Sequence, residues 1–151
     1  MTTPRASSPS RPAYKCCPSS TGQPPEHIFP AAVEDALAAF DHAHDHAVDL
    51  GADPARIAVG GDSAGGNIAA VTAQLATRRG GPAPAFQLLL YPATDVSRRS
   101  HSRDSFADGF FLTGKDMDWF ADHYAPAGVD RADPRCPRSS PTTSPDCQAP
   151  T

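Results

Sequence analysis

Residues 57–67 read Ile57-Ala58-Val59-Gly60-Gly61-Asp62-Ser63-Ala64-Gly65-Gly66-Asn67. The run Ile57-Ala58-Val59 has the length and apolar composition of a buried strand, and Gly60-Gly61 closes it. From about Gly65 to Arg79 the apolar residues Ile68, Val71 and Leu75 recur at three and four, with alanines between them and Gly80-Gly81 as a stop. That spacing predicts a helix. The pentapeptide Gly61-Asp62-Ser63-Ala64-Gly65 joins the two, a G-x-S-x-G pattern in a strand-turn-helix setting. Such a turn forces its central residue into a strained backbone, and small neighbours must let other backbone pass, room that Gly61 and Gly65 are expected to supply. The Ser63 hydroxyl would then stand above the end of the sheet, with the Ala64 N–H at the helix start aimed where an oxyanion forms. Ser63 is therefore the candidate nucleophile, Ala64 the candidate oxyanion donor, and Gly61, Asp62 and Gly65 the rest of the elbow.

Upstream, Pro30 stands where a helix can start and Gly51 where one ends. At 100° per residue Val33, Ala36, Leu37, Phe40, Ala47 and Val48 form one stripe, opposite Glu34, Asp35, Asp41, Asp45 and Asp49. Asp53-Pro54 reads as a turn, and Phe86 to Tyr91 is a second apolar run, closed by Pro92. Helices alternating with short apolar strands predict an α/β fold whose sheet is mostly parallel and covered by helices on both faces. Further on, Thr113 and Asp116 have the spacing of a capping box, ahead of a short helix carrying Met117, Trp119, Phe120 and Tyr124 as packing residues.

The ends differ in composition from the middle. Of 17 prolines, six lie in residues 1–25 and five in residues 134–151. Residues 1–25 and 136–151 are expected to be disordered tails flanking a partial domain over residues 26–135, since they offer little to bury. Two P-x-x-P matches, Pro9 to Pro12 and Pro134 to Pro137, are weak in such a context. Cys16, Cys17, Cys136 and Cys147 match no zinc spacing and are expected to be free thiols. Residues 26–133 hold 8 basic and 16 acidic side chains, and the whole chain carries a formal net charge of -4, which argues against a nucleic-acid partner. No apolar run approaches the ~18 residues of a membrane span and no secretory h-region precedes the helix, leaving the cytoplasm as default location.

The motifs Pro25-Glu26-His27, Phe29-Pro30-Ala31-Ala32, Asp53-Pro54-Ala55-Arg56-Ile57, Gly61-Asp62-Ser63-Ala64-Gly65-Gly66-Asn67 and Tyr91-Pro92 closely resemble the hormone-sensitive-lipase-like branch of the α/β-hydrolase esterases. The resemblance covers residues 25 to about 135, ending near Asp133-Pro134-Arg135. It implies a partial α/β-hydrolase fold and hydrolysis of small-molecule esters of short to medium acyl chains, through an acyl-enzyme on Ser63, with no metal or cofactor.

Serine acyl transfer also needs a general base, an acid to orient it and a second oxyanion donor. The family's His-Gly-Gly-Gly segment precedes the Pro-Glu-His stretch, and residues 1–24 contain no such run. Its acid and base follow the point where the resemblance stops, after which come Asp146 and no histidine. Asp95 with His101 or His123 is a poor substitute. The chain is accordingly expected to be a truncated fragment, inactive or nearly so, and its GC-rich-looking tails suggest reading in altered frames. Two other functions stay open. One is a catalytically dead interaction module that self-associates through exposed sheet edges. The other is a metal-binding helix at Asp41-His42-Ala43-His44-Asp45-His46, where His42 and His46 share a face while His44 turns toward the apolar stripe. The expectation there is a solvated acidic face without metal.

Overall fold

The computed structural model describes residues 15–95, 100–129, 133 and 135. Helix α1 (Ala31–Asp45) comes first, followed by a 3₁₀ turn (Pro54–Arg56), strand β1 (Ala58–Asp62), helix α2 (Ser63–Arg78), strand β2 (Phe86–Leu90), helix α3 (His101–Ser105) and helix α4 (Gly114–Tyr124). The strands pair in parallel, Ala58 opposite Phe86 and Asp62 opposite Leu90. Helix α2 packs on both strands and α1 packs on α2.

Local chemistry explains most boundaries. Strand β1 runs on through Gly60-Gly61, where the expected strand stopped, because glycine is what β2 allows there: a Cβ on Gly60 would sit 3.0 Å from the Leu88 carbonyl oxygen. Helix α2 starts at Ser63, two residues earlier than the apolar spacing indicates, because Asp62 is still extended (φ -109°, ψ 151°) and the chain bends in a single step. Helix α1 ends at Asp45, short of Gly51, and turns carry the chain on, with the Ala52 N–H donating to the Ala47 carbonyl at 2.7 Å. Helical phase ends there too. Ala47 is buried, but Val48, placed on the same stripe by the helical wheel, is 77% exposed.

The sheet departs from the expected layering. Val59, Gly61 and Leu89, half-buried, share the face that α2 covers. On the opposite face Phe86, Leu88 and Leu90 are exposed, so among the described residues the two strands are covered on one side only. The core lies between helices instead. Phe29, Val33 and Val71 are buried together, with Leu75, Tyr124 and Val129 packed against them.

Two ties hold α4 and the end of the described chain to this core. The Phe29 N–H donates to the Tyr124 carbonyl at 2.9 Å, and the Phe29 and Tyr124 rings meet edge-on with centroids 5.7 Å apart. The Arg135 guanidinium lies 5.7 Å above the Phe29 ring, donates to Asp133 at 2.8 Å and reaches Glu34 on α1 at 3.2 Å. Hydrogen bonds from Arg135 hold the Asp133 carboxyl below the usual carboxylate range. The capping box at α4 is complete: Thr113 Oγ1 accepts from the Asp116 N–H at 3.2 Å, and Asp116 accepts from the Thr113 N–H at 3.0 Å. Of the α4 aromatics only Tyr124 packs on the core. Trp119 and Phe120 are exposed, Trp119 resting on Phe120 and on His123.

Residues 1–14 and 136–151, expected to be disordered, lie outside the described residues, as do Cys136, Cys147, the Pro9–Pro12 match and, apart from Arg135, the Pro134–Pro137 match. Residues 15–25 are described. Lys15 Nζ donates to the Leu50 carbonyl at 2.7 Å, the Gly22 N–H donates to Asp35 at 2.8 Å, and Cys16 and Cys17 are exposed free thiols.

Phe29→Ala removes the ring shared by the core, Tyr124 and Arg135, and is expected to lower stability by about 3–5 kcal/mol, read as a fall in the urea midpoint. The Asp133–Arg135 pair gives a smaller, pH-dependent effect. Because the folded-state pKa of Asp133 is depressed, its contribution is fully present above the ordinary Asp value of about 4 and is lost as pH falls through the lower folded value. An acid titration of Asp133→Asn is expected to converge on the parent chain only at that acidic end.

Candidate active site

Strand β1, helix α2 and the segment after β2 together position Ser63. Its φ is +48°, in the left-handed region that a non-glycine residue rarely enters. The residue before it is extended and those after it are helical, so the bend falls on Ser63 itself. Its carbonyl accepts from the Ala93 N–H at 3.1 Å, which ties the bend to the chain leaving β2.

The tight spacing rests on Gly61 and Gly66. A Cβ on Gly61 would collide with the Gly65 carbonyl group and lie 2.8 Å from the Gly66 nitrogen. One on Gly66 would lie 2.9 Å from the Gly61 carbonyl oxygen and 3.1 Å from Pro92 Cβ. Gly65, expected to share this steric role, has nothing within 4 Å of its Cβ position. It faces outward from the crossing, so the missing side chain leaves space rather than relieving a clash.

Ala64 is among the first residues of α2, whose N–H groups have no carbonyl one turn back in the helix. Ser63 is half-buried and Ala64 exposed, so the hydroxyl stands where the bend delivers it, at the carboxyl end of a parallel strand. Ser63, Asp62, Ala64 and Gly65 line one wide cleft together with Tyr91, Pro92 and Asp95. Neither His101 nor His123 lines it. His101 Nδ1 is 3.1 Å from Ser105 Oγ, and His123 Nδ1 donates to the Trp119 carbonyl at 2.8 Å, so each ring is held on its own helix. The structure thus brings Asp95 to the cleft of Ser63 and leaves both histidines out of it.

The histidine run on α1 is arranged differently. His42 and His46 stack with centroids 4.1 Å apart, His46 Nδ1 donates to the His42 carbonyl, and His44 lies 3.4 Å from Asp45. Among the described residues no group of three or more His, Cys, Asp or Glu side chains is placed to hold a metal ion. No helix there is long and apolar enough to cross a membrane.

In the sequence Tyr91 ends the apolar run from Phe86 and opens the Tyr91-Pro92 motif. Its φ is +36°, and its ring is 76% exposed beside the elbow. The sole sequence signal for a special backbone was its place before Pro92.

A parallel β-α-β unit bent at a serine on the strand end defines an α/β-hydrolase core. The family model described as the alpha/beta hydrolase fold matches residues 22–150, and the chain belongs to this family, in the hormone-sensitive-lipase-like branch that its motifs resemble. The match continues past Arg135, where the motif resemblance stops. The chain is 56% identical over 117 residues to the carboxylic ester hydrolase LipN of Mycobacterium tuberculosis, covering 74% of this chain and 31% of that protein. It is 42% identical over 112 residues to an ethyl acetate hydrolase of Pseudomonas putida, covering 74% and 35%. An alpha/beta hydrolase enzyme from the metagenome of Lake Arreo, 54% identical, superposes with a TM-score of 0.71 over 74% of this chain and 35% of that one. A thermostable Pseudomonas putida esterase, 43% identical, superposes with a TM-score of 0.70 over 76% and 36%. The esterase rPPE has been crystallised with a serine replaced, and with a tryptophan 28 positions later replaced as well. The chain spans about a third of the length of these relatives.

Two glycine substitutions separate the crossing from its surroundings. Gly61→Ala is expected to cost at least ~2 kcal/mol, since backbone must move to admit the methyl group. Gly65→Ala, in open space within a helix, is expected to be neutral or to stabilise by up to about 1 kcal/mol. Chemical denaturation of both variants checks the pair.

Proposed function

We propose that Ser63 is the nucleophile of a carboxylic ester hydrolase acting on small-molecule esters of short to medium acyl chains. The observation that carries this reading is the +48° φ of Ser63 at the junction of β1 and α2. Strain of this kind persists where surrounding structure imposes it, and here it presents one hydroxyl beside the start of a helix. The Ser63 oxygen attacks the ester carbonyl, the Ala64 N–H stabilises the oxyanion, the alcohol departs carrying the proton lost by the serine hydroxyl, and water then adds to the acyl-enzyme, releasing the acid and returning a proton to Ser63. Relatives named as ester hydrolases support the same reaction class. In rPPE the replaced serine and tryptophan are spaced as Ser63 and Tyr91 are here, which supports placing both at one site.

The 151-residue chain is proposed to be nearly inert by itself. Neither His101 nor His123, the two histidines that follow Ser63 in sequence, lines its cleft, and losing a triad member costs on the order of 10⁶ in turnover in the subtilisin series. Hydrolysis of p-nitrophenyl acetate by this chain is expected to match its Ser63→Ala variant. Residues 26–135 placed over the equivalent stretch of the Pseudomonas putida ethyl acetate hydrolase are expected to give an active chimera, which Ser63→Ala reduces by at least ~10⁴-fold. A chimera that folds by circular dichroism yet stays inert rules the assignment out.

A second reading, a self-associating module, draws on the exposed face of Phe86, Leu88 and Leu90. Uncovered apolar strands with free edges invite a second copy. Sedimentation at tens of micromolar distinguishes a dimer from a monomer of 15.8 kDa, and Leu88→Lys is expected to abolish any dimer.

A further inference from the structure

Resting on Ser63 as nucleophile, we propose that Tyr91 is a specificity-determining residue of the same site, its ring setting the size of the ester group that lies on the β2 side of the hydroxyl. The argument begins with the backbone. Tyr91 and Ser63 are the only non-glycine residues with positive φ among the described residues, at +36° and +48°. They occupy equivalent places. Asp62 and Leu90 are partners in the parallel register, so Ser63 and Tyr91 are the first residues beyond the paired ends of β1 and β2. The two segments are stitched together just past them, by the Ala93 N–H on the Ser63 carbonyl at 3.1 Å and by Pro92 against Gly66.

A tyrosine is poorly suited to that backbone. Positive φ crowds its Cβ, and the following proline restricts the same residue further. Glycine would adopt the conformation freely. The aromatic ring does not offset the strain by packing, since Tyr91 is 76% exposed and belongs to no buried cluster. A bulky side chain held on strained backbone without burial points to a role in the cleft it borders, and that cleft contains Ser63 and Ala64. Carboxyl ends of parallel strands are where open α/β sheets place their ligands. A ring lining that cleft limits the volume beside the reacting carbonyl.

Two measurements test this. In the 151-residue chain, Tyr91→Gly is expected to raise the urea midpoint because it relieves the backbone without removing packing. A lowered midpoint assigns the ring a structural role and overturns the proposal. In the active chimera, p-nitrophenyl esters of acetate, butanoate and octanoate vary the acyl side, and acetates of ethanol, butanol and benzyl alcohol vary the other. Tyr91→Ala is expected to raise the kcat/KM ratio of bulky to small ester by about 10-fold in one of the two series. Tyr91→Phe, equal in bulk, is expected to retain the parent ratios. An active, Ser63-dependent chimera whose ratios are unmoved by Tyr91→Ala overturns the role of Tyr91 alone. A folded but inert chimera overturns the nucleophile assignment, and the specificity role with it.

Discussion

The close passage of strand β1 over the start of helix α2 is the constraint on which the rest depends. At Gly61 and Gly66 backbone meets backbone with no room for a Cβ, and Pro92 closes the same contact from the β2 side. This crossing obliges the chain to reverse within one residue, which puts Ser63 at positive φ with extended backbone before it and helix after it. The local geometry of the candidate nucleophile is thus a consequence of interelement spacing, and the side chain itself contributes nothing to forming it.

Stability arises in another part of the molecule. Phe29, Val33 and Val71 form a small helical core that Tyr124 and Arg135 seal from the far end of the chain. Arg135 illustrates how few contacts do this, since one guanidinium, paired with neighbouring Asp133, reaches Phe29 and Glu34 about a hundred positions away in sequence. The sheet adds less, because among the described residues only its α2 face is covered. Phe86, Leu88 and Leu90 alternate correctly for a buried strand, yet all three are exposed.

The motif and the period of the hydrophobic pattern made much of the architecture legible. Alternating helix and strand, the elbow at Gly61 to Gly65 and the Thr113 capping box all follow from short-range spacing. Misreadings share a cause. Val48 fits the α1 stripe only if the helix continues past Asp45, and Trp119 and Phe120 read as core only if something stands opposite them. Helix α3 is not legible in the sequence because five residues, started by the Ser100 cap on the Arg103 N–H, are too few to show a period. Gly65 resembled Gly61 as a letter but faces open space.

Residue identity by itself determined where the chain can bend and which hydroxyl sits at the bend, because glycine lacks the Cβ that would block the crossing, proline fixes its own φ, and Ser63 is the hydroxyl-bearing residue between Gly61 and Gly65. Tertiary structure decided which positions are buried and which groups share a cleft. Cover on a strand, the separation of His101 and His123 from Ser63, and the adjacency of Tyr91 to Ser63 depend on segments far apart in sequence. Their distances are set by packing and strand register, which no local pattern encodes.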